Sequence, residues 1–124
     1  MKNILVVDDS PFFIESLRDL LTKEGFNVET ALSGEEALEI LNRSDKPANF
    51  DLLITDLVMP GISGYELAQY VREKNKVGRF TPVIMLTEKE ITKQEARKHG
   101  CSAYIPKSNF EKTRSMVKAL LKQD

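Results

Sequence analysis

The sequence predicts an α/β domain in which a five-stranded parallel sheet carries helices on both faces. Three observations support it. Five short apolar runs alternate with five helical patterns along the 124 residues. Most runs are near-continuous Val, Ile and Leu, as expected of strands covered on both faces. A β-α alternation repeated in this way implies right-handed crossovers and a parallel sheet.

The strands are expected at Asn3–Val7, Asn27–Ala31, Leu52–Thr55, Pro82–Leu86 and Ala103–Ile105. Asn27–Ala31 (NVETA) is the most polar and belongs at an edge. The helix starts are well marked. Ser10-Pro11 pairs an N-cap residue with proline at the first helical position. Ser33 to Glu36, Ser63 to Glu66 and Ser108 to Glu111 each have the spacing of a capping box, in which serine and glutamate satisfy each other's free amides. The first helix carries a Phe13, Leu17, Leu20, Leu21 stripe and stops at Gly25; Phe12 and Ile14 exceed what that stripe requires. Ala37, Leu38 and Leu41 form the second stripe, Leu67, Ala68 and Val71 the third, and Val117, Leu120 and Leu121 the fifth. The fourth helix, about Ile91 to His99, is short and polar. Ser44–Asn49 reads as a loop.

Composition bounds the function. Residues 1–124 are the length of one domain, able to fold without disulfides or metals. Hydrophobic residues make up 41% and charged residues 30%, as in an ordinary soluble globule. The 18 basic and 19 acidic side chains nearly cancel, which argues against a nucleic-acid binder. Cys101 has no second cysteine to pair with, which favours a reducing compartment. No apolar run approaches the ~20 residues of a membrane helix, and MKNILVVDDS is too soon acidic for a signal peptide. The expected setting is the cytoplasm, with no membrane partner.

Placement along the strands points to chemistry. Asp8 and Asp9 close the first expected strand, Asp56 the third, Thr87 the fourth and Lys107 the fifth. In a parallel sheet these ends share one edge, beside the crevice where ligands bind. Taken singly, each is unremarkable: a helix-start acid, a strand threonine, a surface lysine. Gathered together, three carboxylates repel one another and would either hold a proton or recruit a cation. Oxygen ligands without nearby His or Cys suit Mg²⁺, which leaves room for a phosphate oxygen. Lys107 adds a mobile cation and Thr87 a hydroxyl donor. A carboxylate nucleophile with these neighbours is suited to phosphoryl transfer. His99 reads instead as a helix-end residue and Cys101 as a buried thiol.

The elements ILVVDDS, LLITDLVMPGISG, VIMLT and AYIPK give the whole chain a resemblance to the response-regulator receiver domains of two-component signalling, including the stand-alone, chemotaxis-regulator-like ones. The resemblance implies a flavodoxin-like three-layer αβα fold with strand order 2-1-3-4-5. It implies phosphorylation of Asp56 by a histidine kinase or histidine phosphotransfer domain. Mg²⁺ would be bound by Asp9, Asp56 and the backbone carbonyl of Val58, with Asp8 acting largely through water. Thr87 and Lys107 would contact the phosphoryl group, and Tyr104 would turn inward with Thr87. The output would be a protein contact on the face of the fourth helix, fifth strand and fifth helix, made by a monomer or weak dimer that is not a turnover enzyme. Receivers usually follow the lysine with proline, which often sets a cis peptide; here Ser108 follows it.

Three rivals remain at this stage. One is a receiver-like interaction module that is never phosphorylated. Another is a small phosphatase with an aspartyl nucleophile, although such haloacid-dehalogenase-like enzymes place that residue on the first strand with a second aspartate two positions on, where Val58 stands here. The third, flavin binding, lacks a hydroxyl-rich loop after the first strand.

Overall fold

Strands and helices alternate throughout the computed structural model, which describes residues 1–43 and 48–121. They are β1 (Asn3–Val7), α1 (Pro11–Lys23), β2 (Asn27–Ala31), α2 (Gly34–Leu41), β3 (Leu52–Thr55), α3 (Gly64–Glu73), β4 (Val83–Thr87), α4 (Lys93–Lys98), β5 (Ala103–Pro106) and α5 (Phe110–Leu120). All neighbouring strands pair in parallel, in the order β2-β1-β3-β4-β5. Positions 44 to 47, most of the expected Ser44–Asn49 loop, lie outside the described residues. Among those described, no helix is long and apolar enough to cross a membrane.

The strand composition follows from the layers. Alternate side chains of a strand point to opposite faces, so a sheet covered twice needs apolar residues at every position. Leu5, Val7, Leu53 and Met85 pack on one side with Ala37 and Leu41 of α2, Leu67 and Val71 of α3 and Ala96 of α4. Ile4, Val6, Leu52, Ile54, Ile84 and Leu86 pack on the other with Leu17 of α1 and Val117 of α5. Burying one such side chain contributes about 1.5–3 kcal/mol. β2 has this treatment only at Ala31, in keeping with its edge position.

The caps agree with the expected starts and refine two of them. Ser10, Ser33 and Ser63 each accept a hydrogen bond from the backbone amide three residues on. Only Ser63 and Glu66 complete the reciprocal box; Glu36 accepts from Leu32 instead. Asn109, not Ser108, caps α5, and the Ser108 amide donates to the Glu88 carboxylate at 2.6 Å rather than to Glu111. β4 runs one residue later than expected, since Thr87 pairs with Pro106. Gly25 ends α1 with φ +93°, a left-handed conformation that costs other residues energy.

Helix faces were less fully legible. Ile14 is core, 3% exposed, whereas Phe12 beside it is 85% exposed. Thr113 lies fully buried in α5 and satisfies its hydroxyl on the Asn109 carbonyl, whereas Leu120 is 41% exposed. Ile40 joins Ala37 and Leu41 in the buried face of α2. Ile14→Ala is expected to cost about 2–5 kcal/mol in urea unfolding. Phe12→Ala is expected to stay within about 0.5 kcal/mol.

Candidate functional site

Parallel register brings the polar strand ends together. Asp8 follows β1, Asp56 follows β3, Thr87 ends β4 and Lys107 follows β5. Asp8, Asp56 and Thr87 are buried, Asp9 is exposed, and Lys107 has a largely buried side chain. Asp8, Asp9 and Asp56 each offer an oxygen within 4.8 Å of the others. Lys107 Nζ lies 2.8 Å from Asp8 Oδ2 and 3.2 Å from Asp56 Oδ2. The second oxygen of each buried acid is tied to backbone: Ser10 N–H donates to Asp8 Oδ1, and Leu57 N–H to Asp56 Oδ1.

Charge at this rim is unbalanced, with carboxylates outnumbering the ammonium three to one. Burial pushes the Asp8 carboxyl above its ordinary value, outweighing Lys107 and the Ser10 amide. For Lys107 burial acts against the charge, yet its bonds and attractions to Asp8 and Asp56 win, and its ammonium is held above the ordinary value. Asp8 Oδ2 is buried, with the Lys107 ammonium as its partner. Three clustered carboxylates facing one ammonium are the donor set of a hard divalent cation.

The stretch LLITDLVMPGISG explains how Asp56 is held. LLIT is buried at every position, so the chain can turn polar only at its tip. Gly61 has φ +79°, and the Ile62 amide after it donates to Glu35 Oε1 of α2 at 3.1 Å. Gly64 packs so closely that a Cβ there would stand 2.1 Å from the Asp56 carbonyl oxygen. The loop therefore returns directly beneath the acid. Val58 is 62% exposed on this loop, and Met59 is buried against the core.

On the other side, Thr87 Oγ1 accepts from the Lys89 amide at 3.2 Å, and Tyr104 Oη donates to the Lys89 carbonyl at 3.3 Å. Thr87, the Lys89 backbone and half-buried Tyr104 thus form one chain of contacts leading away from the carboxylates. The Lys107–Ser108 bond is trans, as are all the peptide bonds described. Lys107 Nζ also stands 4.5 Å over the Phe13 ring. Phe13 reads in the sequence only as part of the first helix's apolar stripe, and Glu35 and Glu88 carry no site signal, because each meets the site through a contact between distant segments. His99 is occupied elsewhere, stacked on Tyr65 with ring centroids 3.9 Å apart. Burial pushes the Cys101 thiol up to about 11, the state of an inert core cysteine.

Because its folded-state value is raised, ionised Asp8 opposes folding; the penalty is complete above that value and fades as pH falls through it. Asp8→Asn is therefore expected to raise the melting temperature of the metal-free protein at neutral pH. Gly64→Ala should act oppositely, costing about 1–3 kcal/mol as the added methyl displaces the Asp56 backbone. Thermal unfolding measures both.

Comparison with known proteins places this geometry. The family model described as "Response regulator receiver domain" matches residues 4–120. TrrA of Thermotoga maritima, a response regulator solved in complex with Mg(2+)-BeF, is 39% identical; the match covers 98% of this chain and 100% of that one, with TM-score 0.83. Vibrio cholerae chemotaxis protein CheY4 is 33% identical over 98% of this chain and 99% of its own, with TM-score 0.85. The transcriptional regulatory protein CpxR of Escherichia coli is 35% identical over 99% of this chain but only 50% of its own length. The chain spans about half the length of the curated relatives it matches first. With its parallel 2-1-3-4-5 sheet and its clustered aspartates, the chain belongs to the response regulator receiver domain family.

Proposed function

We propose that residues 1–124 form a single receiver domain that accepts a phosphoryl group on Asp56 and passes the change to a partner protein. One observation carries the reading: Asp56 Oδ2 is 3.2 Å from the Lys107 ammonium, inside a group of carboxylate oxygens spanning 4.8 Å. The carboxylate excess around one ammonium fits Mg²⁺, with Asp9, Asp56 and the Val58 carbonyl as its ligands and Asp8 acting through water. When bound, the ion would neutralise these acids and bring a phosphoryl oxygen to them.

The chain's own groups do the rest. An Asp56 oxygen attacks the phosphorus of a phosphohistidine; the new O–P bond forms as the P–N bond breaks, and the imidazole leaves with the electron pair. Lys107, already on Asp56, stays with the charge that moves there. Thr87 Oγ1 turns from the Lys89 amide and donates to a phosphoryl oxygen. That turn disturbs the Lys89 backbone on which Tyr104 rests, so the change reaches the α4–β5–α5 face. A coupling of ~1–3 kcal/mol would shift partner affinity usefully. Water later attacks the acyl phosphate, and the domain returns to its first state without acting as a turnover enzyme.

A histidine kinase or histidine phosphotransfer domain is the proposed donor. The solved complex of TrrA with the histidine kinase ThkA supports this. Several longer relatives are transcriptional regulators; for this segment itself, near-neutral charge favours a protein contact over nucleic acid. A cytoplasmic setting and a monomer or weak dimer complete the proposal. Incubation with Mg²⁺ and acetyl phosphate, followed by intact-mass measurement, tests it. One phosphoryl adduct is expected, absent from Asp56→Asn and from chelator-treated protein, and formed about 10²-fold more slowly by Lys107→Ala. An unlabelled native protein would leave the non-phosphorylated interaction module as the reading.

A further inference from the structure

We infer that the Phe13 ring is a positioning residue for phosphoryl transfer: its face holds the Lys107 ammonium at the site while that ammonium changes partners. The inference rests on Asp56 being the phosphoacceptor. Lys107 Nζ touches three things: Asp8 Oδ2 at 2.8 Å, Asp56 Oδ2 at 3.2 Å, and the Phe13 ring, whose centroid is 4.5 Å away. The last is a cation–π distance, and only 18% of the lysine side chain remains exposed to compete with it. Phe110, the first residue of α5, stacks on Phe13 with centroids 5.6 Å apart and planes 27° from parallel. The ring is thereby fixed from behind, and α1 and α5 together wall one side of the lysine.

The chemistry gives this wall a task. When acetyl phosphate reacts, an Asp56 oxygen bonds to phosphorus, the P–O bond to acetate breaks, and acetate leaves with the electron pair. The Asp56 carboxylate charge that Lys107 paired with is then lost to the acyl phosphate bond, and new charge lies on the phosphoryl oxygens. An ammonium held by carboxylates alone would have to break one ion pair before making the next. A ring face attracts the cation through its quadrupole and imposes no single bonding direction. Lys107 can therefore slide from carboxylate to phosphoryl oxygen without returning to bulk water. An aliphatic side chain of similar bulk fills the same space and supplies none of this attraction.

The experiment compares the native protein, Phe13→Leu and Phe13→Tyr, each checked for native melting behaviour. Phosphorylation by acetyl phosphate with Mg²⁺ should slow by roughly 3- to 30-fold in Phe13→Leu, the range one cation–π contact supports. In Phe13→Tyr, which keeps the ring, the rate should stay within about 2-fold of native. Proton NMR supplies a readout that bulk alone would not move. The Lys107 ε-methylene protons should be shifted upfield by the ring in the native protein and in Phe13→Tyr. They should return to ordinary values in Phe13→Leu, and the native shift should persist with Mg²⁺ and beryllofluoride. Equal rates in all three proteins, equal slowing in both variants, or an unshifted Lys107 in the native protein would overturn the inference. A native protein that takes no phosphoryl group at all would instead overturn the phosphoacceptor reading, and the ring-shift comparison would still decide whether Phe13 holds Lys107.

Discussion

Covering the sheet on both faces is the constraint on which this molecule depends. Once helices occupy both sides, no interior strand position can carry an unpaired charge, because burying one without partners costs several kcal/mol. Polar chemistry is driven to the rims. Parallel pairing then aligns the carboxyl ends of all strands on the same rim, so acids far apart along the chain meet there. Asp8 and Asp56 are buried by this arrangement, with Lys107 and backbone amides set against their oxygens.

The rim is consequently a place of opposed demands. Folding favours fewer charges there, and phosphoryl chemistry requires them. Lys107 pairs two acids in this structure, and under the proposed function the same group would offer its proton donors to an incoming anion. Thr87 has the same double character. Its hydroxyl accepts from the Lys89 amide in this structure and has a proton to give elsewhere. Residues with a resting partner and an available alternative are the material of a two-state device.

Much of this was legible in the sequence, for identifiable reasons. Near-continuous apolar runs such as VIMLT mark doubly covered strands, and Ser10-Pro11 or Ser63 with Glu66 mark helix starts by local chemistry alone. The site could be read because its members sit at strand ends, whose meeting place follows from topology. What escaped was set by contacts between distant segments. Ile14 is the more deeply buried of the two, while Phe13, packed against the same core, also sets its ring against Lys107. Thr113 could not be told from a surface threonine, since its burial depends on a hydroxyl satisfied within its own helix. Ser108 gives way to Asn109 as the cap of α5, and its amide goes to Glu88, twenty positions earlier.

That last contact has a bearing on how receivers could be recombined. The backbone seam between β4 and β5 ends at the bond from Lys107 N–H to the Thr87 carbonyl, and Glu88 then extends it by one stitch through a side chain. Proline at position 108 would leave nothing to stitch to. The two loops are therefore a matched set. Grafting either one alone into another receiver would separate a glutamate from the amide it was shaped to meet, whereas moving both would carry the fastening with them.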